Sequence, residues 1–155
     1  MRYAEKTTVS DERTRGEIEM LVRRHGATEF MTGWSKSGRA IVGFRCSDRL
    51  VRFEMPRPRE DDERFSFGAR RVGGRRVSAS ERTEQKIQEE MRRRWRALLL
   101  VIKAKLEAVE TEITTFEQEF LAHIVLPGGQ TVGEQVTKHI AESYESGKAR
   151  PLLGA

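Results

Sequence analysis

Residues 28–55 read TEFMTGWSKSGRAIVGFRCSDRLVRFEM, and in this stretch the apolar side chains recur at every second position. Ala40, Val42, Phe44 and Cys46 share one side of a chain segment; Val51, Phe53 and Met55 share one side of the next, alternating with Arg52 and Glu54. A period of two is the signature of a strand that buries one face. Turn chemistry at Ser35-Lys36-Ser37-Gly38 and at Ser47-Asp48 divides the stretch into three strands, about Glu29 to Trp34, Arg39 to Cys46 and Leu50 to Met55. Short turns of this kind join antiparallel neighbours, so the prediction is a three-stranded meander with one dry side for helices to cover.

The helices to cover it lie on both sides in sequence. Downstream, about Glu81 to Glu110, the residues Ile87, Met91, Trp95, Leu98, Ile102, Leu106 and Val109 recur at steps of three and four, which traces one continuous helical stripe. This predicts the spine of the core and makes Trp95 a core residue rather than a base-stacking one. Upstream, Ile18, Leu21, Val22 and His25 repeat at helical spacing after a possible N-cap at Ser10 or Asp11, and Gly26 offers a left-handed stop. Before that helix, Tyr3 to Val9 alternate in a way that predicts a short N-terminal strand. Two capping boxes, Thr115 with Gln118 or else Thr114 with Glu117, and Thr131 with Glu134, predict two shorter C-terminal helices, divided by Pro127-Gly128-Gly129 and ended by Gly147. The fold class expected is therefore α+β: an N-terminal strand and helix, an antiparallel three-stranded meander, a long helix and two shorter C-terminal helices, all packed together.

With 155 residues the chain suits a single domain, 1–155. The 34% of charged residues is high, however, and the excess is concentrated. Between Pro56 and about Ser80 lies an insertion, about 57–80, holding seven arginines, no lysine, and glycines at 68, 73 and 74. So long a stretch without strong periodicity is expected to be flexible or functional, with one hairpin around Gly73-Gly74 as the alternative. A short tail is expected from about residue 148. The net charge of +5 hides an asymmetry, because residues 57–105 carry 15 basic and 8 acidic side chains whereas residues 106–155 carry 3 and 8.

Catalytic chemistry has no defensible motif here, and no enzyme activity or cofactor is expected. Cys46, His25, His123 and His139 lack the close spacings of a structural zinc site, so no metal is expected. His25 reads as a helix-end residue suited to the local dipole. The glutamates at 107, 110, 112, 117 and 119 read as the solvated side of amphipathic helices. One cysteine permits no internal disulfide, and the longest aliphatic run, Ala97 to Ile102, is too short to span a bilayer. No signal-peptide core is evident at the start, so the expectation is a cytoplasmic protein with no membrane partner.

What remains is the positive charge. Arginine grips phosphate with two parallel donors, and an arm with arginine but no lysine favours that use. Nucleic acid, DNA or RNA, is the expected partner, with Arg70, Arg71, Arg75 and Arg76 as mobile phosphate clamps and Arg92, Arg93, Arg94 and Arg96 as fixed ones. Phe65, Phe67 and Trp34 are candidate stacking faces. A second class of reading uses the opposed charges of the middle and the C-terminal third, through which protomers could form a homo-oligomer or the arm could dock on a protein partner.

The segments Arg92-Arg93-Arg94-Trp95-Arg96-Ala97-Leu98-Leu99-Leu100-Val101-Ile102-Lys103-Ala104-Lys105-Leu106-Glu107, Ile113-Thr114-Thr115-Phe116-Glu117 and Leu121-Ala122-His123-Ile124-Val125-Leu126-Pro127 resemble an uncharacterised family of small bacteriophage and prophage proteins. Lys6-Thr7-Thr8-Val9 and Glu17-Ile18-Glu19 resemble it too. The resemblance implies a viral setting in a bacterial host cytoplasm, and it carries no catalytic residues with it.

Overall fold

The computed structural model describes the backbone of residues 2–152 and the side chains of residues 11–152. The elements run α1 (Arg2–Arg24), β1 (Glu29–Trp34), β2 (Ala40–Cys46), β3 (Arg49–Met55), β4 (Arg70–Val72), β5 (Arg75–Val77), α2 (Ala79–Glu110), α3 (Phe116–Glu119), a 3-10 turn at Leu121–His123, and α4 (Val132–Ser146). The class is α+β.

The meander forms as its alternation demands, in the order β1-β2-β3 and antiparallel throughout. Val42 lies opposite Phe53, and Phe44 opposite Val51, so the two dry faces are continuous. Ser47 and Asp48 both take positive φ, 51° and 60°, which lets a two-residue turn follow the twist of its strands. On the dry face Ala40, Val42, Phe44, Cys46, Val51, Phe53 and Met55 are all buried. Against them lies α2, whose buried residues are Ile87, Met91, Trp95, Leu98, Ile102 and Leu106, while Val109 is half-buried at the margin. Each such side chain, removed from water, is worth about 1.5–3 kcal/mol. Ile18, Leu21 and Val22 of α1 close one side of this core, and Phe116, Phe120 and Ile124 close the other. Phe120 meets Phe44 edge-on at 5.8 Å and stacks on Phe116 at 4.6 Å.

The N-terminus departs from expectation. Residues 3–9 are not a strand; they are the first turns of α1, which runs through Ser10 and Asp11 without a break. Ala4, Glu5 and Lys6 are strong helix formers, no proline or glycine occurs before Gly16, and extending an existing helix adds one hydrogen bond per residue fixed. A strand there would instead have needed a free sheet edge beside it. At its other end α1 stops where Gly26 takes φ +94°.

The C-terminal region packs less closely than expected. Both capping boxes are formed, at Thr115/Gln118 and at Thr131/Glu134, and Gly147 supplies the left-handed end of α4. Yet α4 has no buried residue, and only Val132, half-buried, touches the core. Its apolar positions are too few and too widely spaced to cover a sheet face already filled by α2. Ahead of it, Val125 donates its N–H to Leu50 C=O at 2.8 Å, and Ile124 bridges to Val51, so this segment covers the outer edge of β3. Among the described residues beyond Gly147 there is no further helix or strand.

Candidate nucleic-acid interface

The insertion is built as a loop followed by a hairpin. Pro56 and Pro58 end β3, since neither can donate to a ladder. Arg57 then ties the loop to α2, its Nη2 donating to both carboxylate oxygens of Glu84 at 2.9 and 2.8 Å. Arg59 grips Asp61 and Arg64 grips Asp62, each through two nitrogens. The Arg64 guanidinium and the Arg64 backbone N–H together pull the Asp62 carboxyl down to a pKa of about 2. Asp61 and Asp62 of the acidic cluster at 60–63 therefore neutralise Arg59 and Arg64, Glu84 takes Arg57, and none of these carboxylates reaches the hairpin arginines.

In the hairpin, Gly73 and Gly74 both have positive φ, 56° and 79°, the conformation that a tight two-residue turn between twisted strands requires. The ladder pairs Arg70 with Val77, Arg71 with Arg76, and Val72 with Arg75. Residues directly opposite share a face, so Arg71 and Arg76 stand together on one side, and the other side includes the buried Val77. Among the described residues Arg70, Arg71 and Arg76 meet no carboxylate, and with Ala69 they border a shallow recess. Arg75, by contrast, reaches Glu81 at 3.5 Å. Two like charges placed directly across a ladder repel each other, so this arrangement costs stability unless an anion lies over it.

The four arginines of α2 are placed differently. Arg94 points at the body, bonded to Glu90 at 3.1 Å and to the Pro56 carbonyl. Arg96 reaches Glu17 of α1 at 3.3 Å, Arg92 carries a charge that acts on Asp11, and Arg93 is exposed with Glu90 at 3.8 Å. They point in three directions rather than forming one clamp. At 1.5 Å per residue, Arg92 lies about 20 Å along the helix axis from its start at Ala79, beside the hairpin. Hairpin and helix arginines are thus two clusters; in the first, Arg70, Arg71 and Arg76 meet no carboxylate among the described residues, while Arg75 reaches Glu81.

The candidate stacking faces are mostly occupied. Phe65 packs against the core with the Arg64 guanidinium 5.4 Å from its ring, and Phe67 lies under Arg82 and Lys86 at 5.3 and 5.9 Å. Trp95 is 1% exposed and belongs to the core. Trp34 is 54% exposed, with Arg15 over its ring at 5.7 Å.

His25 caps α1 as expected: its Nδ1 lies 2.9 Å from Leu21 C=O, and its Nε2 meets Glu110 at 3.1 Å. His123 is half-buried and stacked on Phe53 at 4.0 Å. Among the described residues no three His, Cys, Asp or Glu side chains converge as a metal site would need, and no helix is long and apolar enough to cross a membrane. Nothing in the local sequence marks Arg15, whose guanidinium lies over the rings of both Trp34 and Trp95 at 5.7 and 4.9 Å; its partners are too far away along the chain. No family model matches the chain, and neither a curated protein nor a solved structure matches it.

Proposed function

We propose that the protein binds nucleic acid without acting on it chemically, and that the β4–β5 hairpin meets the phosphates. The observation that carries this reading is the juxtaposition of Arg71 and Arg76 on one face of the hairpin, with Arg70 bordering the same recess and none of the three meeting a carboxylate among the described residues. Phosphate oxygens accept paired guanidinium donors and relieve the repulsion between the two charges. Arg93 and the exposed pairs at Arg75 and Arg96 add weaker contacts, since surface ion pairs are worth about 0–1 kcal/mol and exchange readily for phosphate. Arg94, held by Glu90 and a backbone carbonyl, is structural in this scheme. Arg92 lies about 20 Å along the helix axis from Ala79, which corresponds to about six steps of a nucleic-acid strand. The family resemblance fits a phage protein acting in its host's cytoplasm on DNA or RNA, in replication, recombination or control.

The test is a fluorescence-anisotropy titration against single- and double-stranded DNA and RNA over a range of salt. Arg71→Ala combined with Arg76→Ala should weaken binding to every sequence and reduce the slope of log K against log salt by about two. Arg94→Ala should leave that slope unchanged. An unaltered slope in the double variant rejects the hairpin as the phosphate contact.

A protein-interaction role is the second reading, and α4 favours it. Ile140 and Tyr144 stand one turn apart on that helix and are exposed, Tyr144 at 87%. If this reading holds instead, Ile140→Glu with Tyr144→Glu removes the biological effect while nucleic-acid titrations of the parent protein show no binding.

A further inference from the structure

The sheet has one covered edge and one open edge. β3 is covered by the segment around Val125. β1 is the other outer strand. The Ser35 N–H donates to Arg39 C=O at 2.9 Å and Gly38 N–H to Ser35 C=O at 2.9 Å, which sets the phase of the β1–β2 ladder. Glu29, Met31 and Gly33 then turn their backbone groups toward β2, while Phe30, Thr32 and Trp34 turn theirs outward. No backbone group in the described chain meets those outward groups. Nor is the edge roofed, because Thr32 and Trp34 are exposed although they lie on the helix-covered side of the sheet.

Soluble proteins protect such an edge with lysine, proline, a bulge in mid-strand or an inward charge. From Phe30 to Ser35 the chain reads FMTGWS and has none of these residues. Charge occurs only at the two ends and with opposite signs, Glu29 at the start and Lys36 and Arg39 in and after the turn.

We infer that β1 is the contact strand of a two-fold homodimer, pairing antiparallel with β1 of a second copy about an axis through Thr32. This register follows from parity. A continuous sheet keeps dry and wet faces aligned only if the paired residue numbers have an even sum, and centring on Thr32 makes the six-residue strand pair with itself almost end to end. Thr32 then exchanges two backbone hydrogen bonds with the partner's Thr32. On the helix side, Phe30 faces the partner's Trp34, an aromatic cross-strand pair repeated on both sides of the axis. On the other side, Met31, 60% exposed, faces the partner's Gly33. Nothing lies within 4 Å of a Cβ placed on Gly33, so there is room for the methionine. The antiparallel sense also sets Glu29, which pairs with Arg45 of its own protomer at 3.2 Å, opposite the partner's Ser35 and one residue from its Lys36, twice. A foreign strand would have to reproduce this alternation and both end charges; a second copy supplies them by symmetry. The two meanders become one sheet in the order β3-β2-β1-β1-β2-β3. Such a dimer would stand whether or not the hairpin binds nucleic acid.

The experiment is sedimentation equilibrium of the full chain at about 1–100 µM, in low and high salt. The parent protein should be a dimer that survives high salt, as backbone pairing and apolar contact do and a purely electrostatic association does not. Thr32→Pro removes an N–H that has no partner within the protomer, so it should give a monomer whose circular dichroism and thermal midpoint match the parent's when both are dilute. Thr32→Lys and Thr32→Glu should each be monomeric alone, by like-charge repulsion at the axis, and should form a heterodimer when mixed. Monomeric parent protein at the highest concentration overturns the inference, and so does a Thr32→Pro dimer of undiminished affinity. Failure of the lysine and glutamate variants to pair on mixing overturns the register. A parent monomer that instead binds a synthetic strand peptide at β1 assigns the edge to a foreign partner, and overturns the homodimer as well.

Discussion

The guanidinium of Arg15 lies over two indole rings, 4.9 Å from the centroid of Trp95 and 5.7 Å from that of Trp34. Arg15 Nε and Trp95 Nε1 are both buried without a hydrogen-bond partner. The cation therefore lies over two indoles, one from the sheet and one from α2, with its charge also acting on the Asp11 carboxyl, while its own backbone belongs to α1. It joins the three layers at one point.

Removing it should be costly. Arg15→Ala is expected to lower stability by about 1–3 kcal/mol, through loss of the cation–π contact and of the apolar stem packed beneath it. Urea unfolding followed by tryptophan fluorescence measures this, and the native emission should change as well, because both tryptophans of the chain line the site.

Two glycines in helices should respond to alanine with opposite signs. Gly16 lies inside α1 with nothing within 4 Å of a new Cβ, so Gly16→Ala should stabilise by about 0.5–1 kcal/mol. At Gly133, in the first turn of α4, a Cβ would stand 2.9 Å from the Ala122 carbonyl oxygen. That atom is backbone and cannot swing away, so Gly133→Ala should destabilise by about 1–3 kcal/mol despite alanine's better helix propensity. Chemical denaturation of the two variants separates sterics from propensity.

Acid should weaken the fold partly through His123. Burial against Phe53, and then the nearby Lys105 ammonium, lower the pKa of this imidazole from its ordinary 6.5. The folded state thus takes up its proton less readily than the unfolded chain. Stability from this source is complete above pH 6.5 and is lost as the pH falls through 6.5 and on through the lowered folded value. Thermal midpoints recorded between about pH 7.5 and 5 should fall less steeply for His123→Phe, which retains a ring to stack on Phe53 but has nothing to protonate.

Where a segment's own periodicity decides its state, the fold was legible in the sequence. The stripe from Ile87 to Val109 admits only a helix, and the alternation from Ala40 to Met55 only strands; both formed with ends within about two residues of expectation. Residues 3–9 were not legible, because a few alternating residues of mixed propensity fit either state and the helix that follows decided between them. The arginines were visible as a concentration of charge, but their partners were not. Glu84 lies far along the chain from Arg57, and Glu17 from Arg96, and nothing local announces that these pairs will meet. Charge counts therefore located the basic region correctly but overstated how much of it is free.

The attachment of α4 bears on how the chain comes apart. Its grip on the body is confined to its first turn: the buried Thr131 cap, Val132 N–H on Ile124 C=O, and Arg52 reaching Glu134 and the Gly129 carbonyl. From Gln135 onward no side chain is buried, so little apolar surface is exposed when those turns melt. The last helix is in that sense a separate cooperative unit. Its amides can open to solvent at a small fraction of the free energy needed to part α2 from the sheet, and a protease could shorten the chain there without unfolding what remains.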